Sequence, residues 1–125
     1  MKIRTWIILP AALIIPAALI LSWRDIQESS EIPENVLTIL NSHCIGCHST
    51  DSRSEDARKK VDFKKWEEYT DVKKVGILND IKDVAEKGKM PPEKFLSRFP
   101  DKALSAEQRD TLIGWTKKAT AKLME

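Results

Sequence analysis

Cys44-Ile45-Gly46-Cys47-His48 gathers three of the four cysteine and histidine residues in a chain of 125. Two thiols three residues apart can reach the two vinyl groups on one porphyrin edge. The next residue can then offer an imidazole nitrogen to the iron. That is the sequence form of c-type haem attachment, with Cys44 and Cys47 as thioether carriers and His48 as proximal ligand. Ile45 and Gly46 let the backbone pass close to the macrocycle edge. Other readings of the same residues fit less well. A thioredoxin-like dithiol usually sits beside a βαβ pattern, and no segment here shows strand alternation. A zinc site needs four ligands; Cys44, Cys47, His48 and His43 are too adjacent to close a good tetrahedron. A plain disulfide would leave His48 without a task.

With one iron position left open, the remaining donors are few. His43 directly precedes Cys44 and would have to fold around the ring edge. Met1 lies in the N-terminal apolar run and Met124 at the C-terminal end. Met90 sits in Glu86-Lys87-Gly88-Lys89-Met90-Pro91-Pro92. Gly88 is a natural helix stop, Pro91 favours an extended backbone at Met90, and the two prolines stiffen the chain beyond it. The loop offers one thioether, so Met90 is the candidate distal ligand, although methionine is ordinarily core filler.

The elements that must position these groups read as helices. Pro33 suits a first helical turn, and Val36, Leu37, Ile39 and Leu40 continue it to about residue 41, running into the cysteine motif. Residues 49–62 are charged and small and read as a surface loop, with Arg58, Lys59 and Lys60 solvated. Phe63, Trp66 and Tyr69, three apart, suggest one or two turns with an aromatic face. Asp71 can cap a helix carrying Val72, Val75, Leu78, Ile81 and Ala85. Ser105 with Gln108 has the form of a capping box, ahead of Leu112, Trp115, Ala119 and Leu123. The expectation is an all-α, small cytochrome-c-like domain over residues 33–125: about four short helices around one covalent haem. Phe63, Trp66, Tyr69, Leu78, Ile81, Phe95, Leu112 and Trp115 are candidates to wall the haem; ordinary helix-packing core is the equal alternative.

Residues 5–23 carry no charge, and Lys2 and Arg4 precede them. A helix of that length crosses most of a ~30 Å hydrocarbon core. Trp6 and Trp23 bracket it at interfacial positions, and the basic flank places the N-terminus in the cytoplasm. Pro10 and Pro16 are tolerated within such a span. Residues 1–23 therefore read as a transmembrane anchor or uncleaved signal, 24–32 as a tether, and the body as facing the periplasm of a bacterial inner membrane. Removing Lys2 and Arg4 from 21 basic residues leaves 19 against 19 acidic ones. A neutral body argues against nucleic acid as partner.

Five spaced motifs resemble the short haem-binding domain family, small exported mono-haem c-type cytochromes of Bacteroidetes-type bacteria. They are residues 41–49 around the cysteine motif, Phe63-Lys64-Lys65-Trp66-Glu67-Glu68-Tyr69, Lys87-Gly88-Lys89-Met90-Pro91-Pro92, Leu104-Ser105-Ala106-Glu107 and Leu112-Ile113-Gly114-Trp115. The resemblance spans about residues 37–118. It implies thioethers at Cys44 and Cys47, His48 as proximal ligand and Met90 as distal ligand. Two departures stand out. The charged loop 49–62 replaces an aromatic, proline-containing stretch, and Phe99 stands where members often carry a histidine. These departures imply a more exposed haem edge and one rival nitrogen ligand fewer.

One-electron transfer is the leading expectation, with no catalytic constellation and an unidentified redox protein as partner. Lys87, Lys89 and Lys94 around Met90 could dock an acidic partner. The alternatives are a haem-based redox or gas sensor with a displaceable Met90, and a small peroxidase-like haem protein, which would need an open iron position and a distal acid or base.

Overall fold

The computed structural model describes residues 32–125, and the described chain is all-α with no strand. The expected anchor at 1–23, and the tether except Ile32, lie outside the described residues. Ile32 packs against the core, so the folded body has already begun there. No helix among the described residues is long and apolar enough to cross a membrane.

Five α-helices and two 3₁₀ turns make up the body: α1 Glu34–His43, α2 Glu55–Lys60, a 3₁₀ helix Phe63–Glu68, α3 Asp71–Glu86, α4 Glu93–Leu96, a 3₁₀ turn Pro100–Lys102 and α5 Ala106–Leu123. The frame is α3 packed along α5, with α1 against α5. Val36, Ile39 and Leu40 of α1, Ile77, Leu78 and Ala85 of α3, and Leu112 and Trp115 of α5 form the centre of the core, joined by Val61, Trp66 and Leu104. Ala119 and Leu123 extend the α5 stripe as expected.

The helix ends follow local chemistry. Pro33 is the N-cap of α1 rather than its first residue. Thr70, not Asp71, caps α3: its hydroxyl accepts from Lys73 N, and Asp71 becomes the first helical residue, an acid at the positive end of the dipole. Ser105 and Gln108 form the expected reciprocal capping box on α5. The C-terminus of α3 closes in a Schellman motif. Lys89 N donates to Val84 O at 2.9 Å and Gly88 N to Ala85 O at 3.4 Å. Gly88 takes the left-handed conformation, φ +62°, that this closure requires.

Two further expectations are corrected. Val72 is 85 % exposed. The buried stripe of α3 is Lys74, Ile77, Leu78 and Ala85. At about 100° per residue, Val72 falls almost opposite that stripe. Residues 49–62 are also more than a surface loop. They contain α2, and Ser49, Ser52, Val61 and Asp62 are buried.

Candidate functional site

The last turn of α1 becomes the cysteine motif without a break. Cys44 caps the helix through its N–H to Leu40 O at 2.8 Å, and Ile45 N shares that carbonyl at 2.9 Å. The chain then tightens: Cys47 N and His48 N both donate to Cys44 O, at 3.0 and 2.9 Å. Cys44, Cys47 and His48 thus lie in one hydrogen-bonded turn that follows α1, with both later N–H groups held by the Cys44 carbonyl. Both cysteines are free; Cys44 is half-buried and Cys47 exposed. Burial, and then the neighbouring Cys47, push the Cys44 thiol up to about 11. A thiol so raised stays protonated, so Cys44 is a poor attacking thiol for dithiol exchange.

His48 is clamped from three sides. Its N–H is held by Cys44 O, its carbonyl accepts from Phe63 N at 3.0 Å, and its imidazole Nδ1–H donates to Ala57 O at 2.9 Å. The Ala57 carbonyl also accepts from Val61 N at 3.1 Å, closing α2. The short charged helix therefore supplies the acceptor that fixes the imidazole's tautomer and leaves Nε2 as the lone-pair nitrogen, as histidine ligands commonly require. No sequence signal marks this contact, because the acceptor is a backbone carbonyl.

Asp62 ties the segment after His48 to the aromatic helix. Thr50 Oγ1 donates to Asp62 Oδ2 at 2.6 Å, Lys64 N donates to Asp62 Oδ1 at 3.1 Å, and Asp62 N donates to Tyr69 Oη at 3.0 Å. Arg58, expected to be solvated, reaches back to Thr50 O at 3.2 Å. The Thr50 hydroxyl holds the Asp62 carboxyl below its ordinary value of 3.8. A depressed folded value means the carboxylate stabilises the fold above 3.8 and loses that contribution as pH falls through the folded value. Asp62→Asn is therefore expected to lower the denaturant midpoint at neutral pH. The gap from wild type should close in strong acid; a gap independent of pH would exclude the carboxylate as its source.

Aromatic rings lead from His48 into the core. Phe63 meets His48 edge-on at 6.3 Å and stacks on Trp66 at 6.5 Å; Trp66 meets Tyr69 at 6.4 Å and Trp115 at 6.1 Å. The three-residue spacing of Phe63, Trp66 and Tyr69 matches the three residues per turn of the 3₁₀ helix that carries them. Leu78 and Leu112 are wholly enclosed by protein, while Ile81 is half-buried against the same cluster. Phe95 lies apart from that core, paired with the exposed Phe99 at 5.0 Å. Met90 follows the Schellman closure, 38 % exposed, with Pro91 buried after it.

His43 points elsewhere. Its Nδ1–H donates to Lys102 O at 2.8 Å and its Nε2 accepts from the Gln108 amide at 3.2 Å. With both nitrogens engaged it serves the packing of α1 against the start of α5. Among the described residues, no three His, Cys, Asp or Glu side chains are grouped to hold a metal ion by themselves.

The sequence model of the haem-binding domain family matches residues 51–118, more than half of the chain. The chain belongs to that family. The matched span begins just after His48 and covers the clamp residue Ala57, the aromatic helix, α3, the Met90 loop and most of α5. No curated protein and no solved structure matches the chain. The residues of this haem-binding domain suit the group. A half-buried histidine has its Nδ1–H spoken for beside a ring-lined interior, and Trp66 Nε1–H is buried without an acceptor.

Proposed function

We propose that this haem-binding domain is a membrane-tethered mono-haem c-type cytochrome that carries single electrons. Cys44 and Cys47 would hold the haem through thioethers, and His48 Nε2 and the Met90 sulfur would ligate its iron. Iron cycling between ferric and ferrous is the chemistry the group supplies. The observation that carries the reading is the fixed His48: one hydrogen-bonded turn bears both thiols and an imidazole whose Nδ1–H is bound to Ala57 O.

The fold's own part is to orient and to exclude water. The Phe63 N–H holds the His48 carbonyl, and Asp62 ties Thr50, two residues on, to the aromatic helix. Thioether sulfur as second ligand favours ferrous iron and raises the potential. The expected setting is a bacterial inner membrane, with residues 1–23 as anchor and the haem domain on the periplasmic side. Lys89 and Lys94 are exposed beside Met90 and Lys87 pairs with Asp83, which leaves a basic rim for an acidic redox protein.

Protein made with intact c-type maturation should keep its haem on the polypeptide through acidified organic extraction. Cys44→Ala with Cys47→Ala should release it. Ferrous protein should bind carbon monoxide slowly or not at all. Haem freely extracted from the wild type would sink covalent attachment, and rapid carbon monoxide binding would turn the assignment toward a sensor or a peroxidase-like protein.

A further inference from the structure

Trp66 is 4 % exposed, yet its indole N–H finds no acceptor. Lys74, one turn into α3, is equally buried at 4 %, and its Nζ lies 5.6 Å from the centroid of the Trp66 ring. Among the described residues its one ion-pair partner is Glu67 Oε2, at 3.6 Å, on a side chain 70 % exposed. That separation is too long for a charge-assisted hydrogen bond. A buried donor without an acceptor is costly, and a buried cation held only by a ring face and a carboxylate 3.6 Å away is under-compensated. Here both surround one ring.

The arrangement has a definite chemical complement. One donor is neutral and lies in the ring plane; the other is cationic and stands over the ring face. A carboxylate has two oxygens that accept independently, each from a nitrogen about 2.8–2.9 Å away. Lys74 Nζ stands 5.6 Å from the centroid of the ring that carries the other donor, so the two nitrogens belong to one locality that such a group could bridge. A neutral acceptor would satisfy the indole and leave the ammonium with only the ring face and the exposed Glu67 carboxylate.

We propose that Trp66 Nε1 and Lys74 Nζ together bind a haem propionate. The assignment rests on the haem reading above. Trp66 stacks on Phe63, and Phe63 meets His48 edge-on, so the donors stand two ring contacts from the histidine that would hold the iron. A polar edge of the macrocycle then meets the protein at the junction of the aromatic helix and α3. The pair also gives Lys74 its reason to occupy the buried stripe of α3 with Ile77 and Leu78.

The test uses the haem-loaded full chain and its Trp66→Phe, Lys74→Gln and Glu67→Gln variants. Soret-excited resonance Raman reads the propionate bending bands, and redox titration reads the midpoint potential. Trp66→Phe and Lys74→Gln are each expected to shift those bands. Both should lower the potential, because a less neutralised propionate stabilises ferric iron. Glu67→Gln is expected to leave both unchanged. Should Trp66→Phe fail to accumulate, Lys74→Gln carries the test by itself. Unchanged bands and potential in a haem-loaded Lys74→Gln chain overturn the assignment. So does a Glu67→Gln chain that reproduces the Lys74→Gln shift, since the ammonium would then belong to Glu67. Wild-type protein without haem overturns the proposed function instead, and haem content measured on every sample separates the two failures.

Discussion

Replacing Met90 by alanine should open the iron: ferrous Met90→Ala is expected to bind carbon monoxide rapidly, with a lower midpoint potential than wild type. The thioether is a soft ligand that stabilises ferrous iron, so its loss favours the ferric state. A fall on the order of 0.1 V or more is expected, within the ~0.8 V range that axial ligands span in haem proteins. The chain is fixed on both sides of that residue. The Schellman closure of α3 stops the helix at Gly88, and buried Pro91 anchors the chain on the far side of Met90. Between these fixed points Met90 keeps 38 % exposure, unusual for a methionine used as core filler. His43 is no substitute, because both of its ring nitrogens are bound elsewhere. Absorption spectra, carbon monoxide kinetics and a potential all indistinguishable from wild type would remove Met90 from the iron.

The parts of the fold written in side-chain periodicity were legible. α1, α3 and α5 each bury a helical stripe, and Gly88 and the Ser105–Gln108 box mark ends through side-chain rules. The cysteine motif is equally local, and the covalent attachment proposed for it rests on its spacing alone. What escaped depends on tertiary partners. α2 has no buried residue. Its sequence, Glu-Asp-Ala-Arg-Lys-Lys, therefore carries no apolar period, and its role is played by the Ala57 carbonyl. α4 and the turn Pro100–Lys102 are too short to register a period. Lys74 breaks the apolar pattern of α3 while sitting inside it, so a polarity rule assigns it to the wrong face. Val72 makes the opposite error, an apolar residue on the solvent side.

The candidate site divides in the same way. The groups that would touch the haem iron or its vinyls are visible as residue types, whereas the groups that hold them are backbone atoms or distant in sequence. His48 shows both. Its identity follows from Cys44 and Cys47, but its orientation comes from Ala57 O, nine residues on, and its anchoring from Phe63 N. The charged segment expected to leave a haem edge bare also supplies the carbonyl that fixes the His48 imidazole.

That division sets where the stability of the body resides, and Leu78→Ala should expose it. Leu78 is fully enclosed, at 0 % exposure, on the stripe of α3 that faces α5. Truncation removes buried methyl groups and leaves a cavity that two packed helices close only in part. The expected loss is about 3–4 kcal/mol, a large share of the roughly 5–15 kcal/mol typical of a domain. Val72→Ala is the internal comparison: same helix, same class of change, but a side chain 85 % exposed. It should cost under about 0.5 kcal/mol. Denaturant titration of both variants with haem attached measures the difference. Similar midpoints would mean that α3 and α5 do not form the frame of the loaded protein. A large drop for Leu78→Ala alone would place the mechanical support of Trp66, Trp115 and hence the His48 ring contacts in that one helix pair.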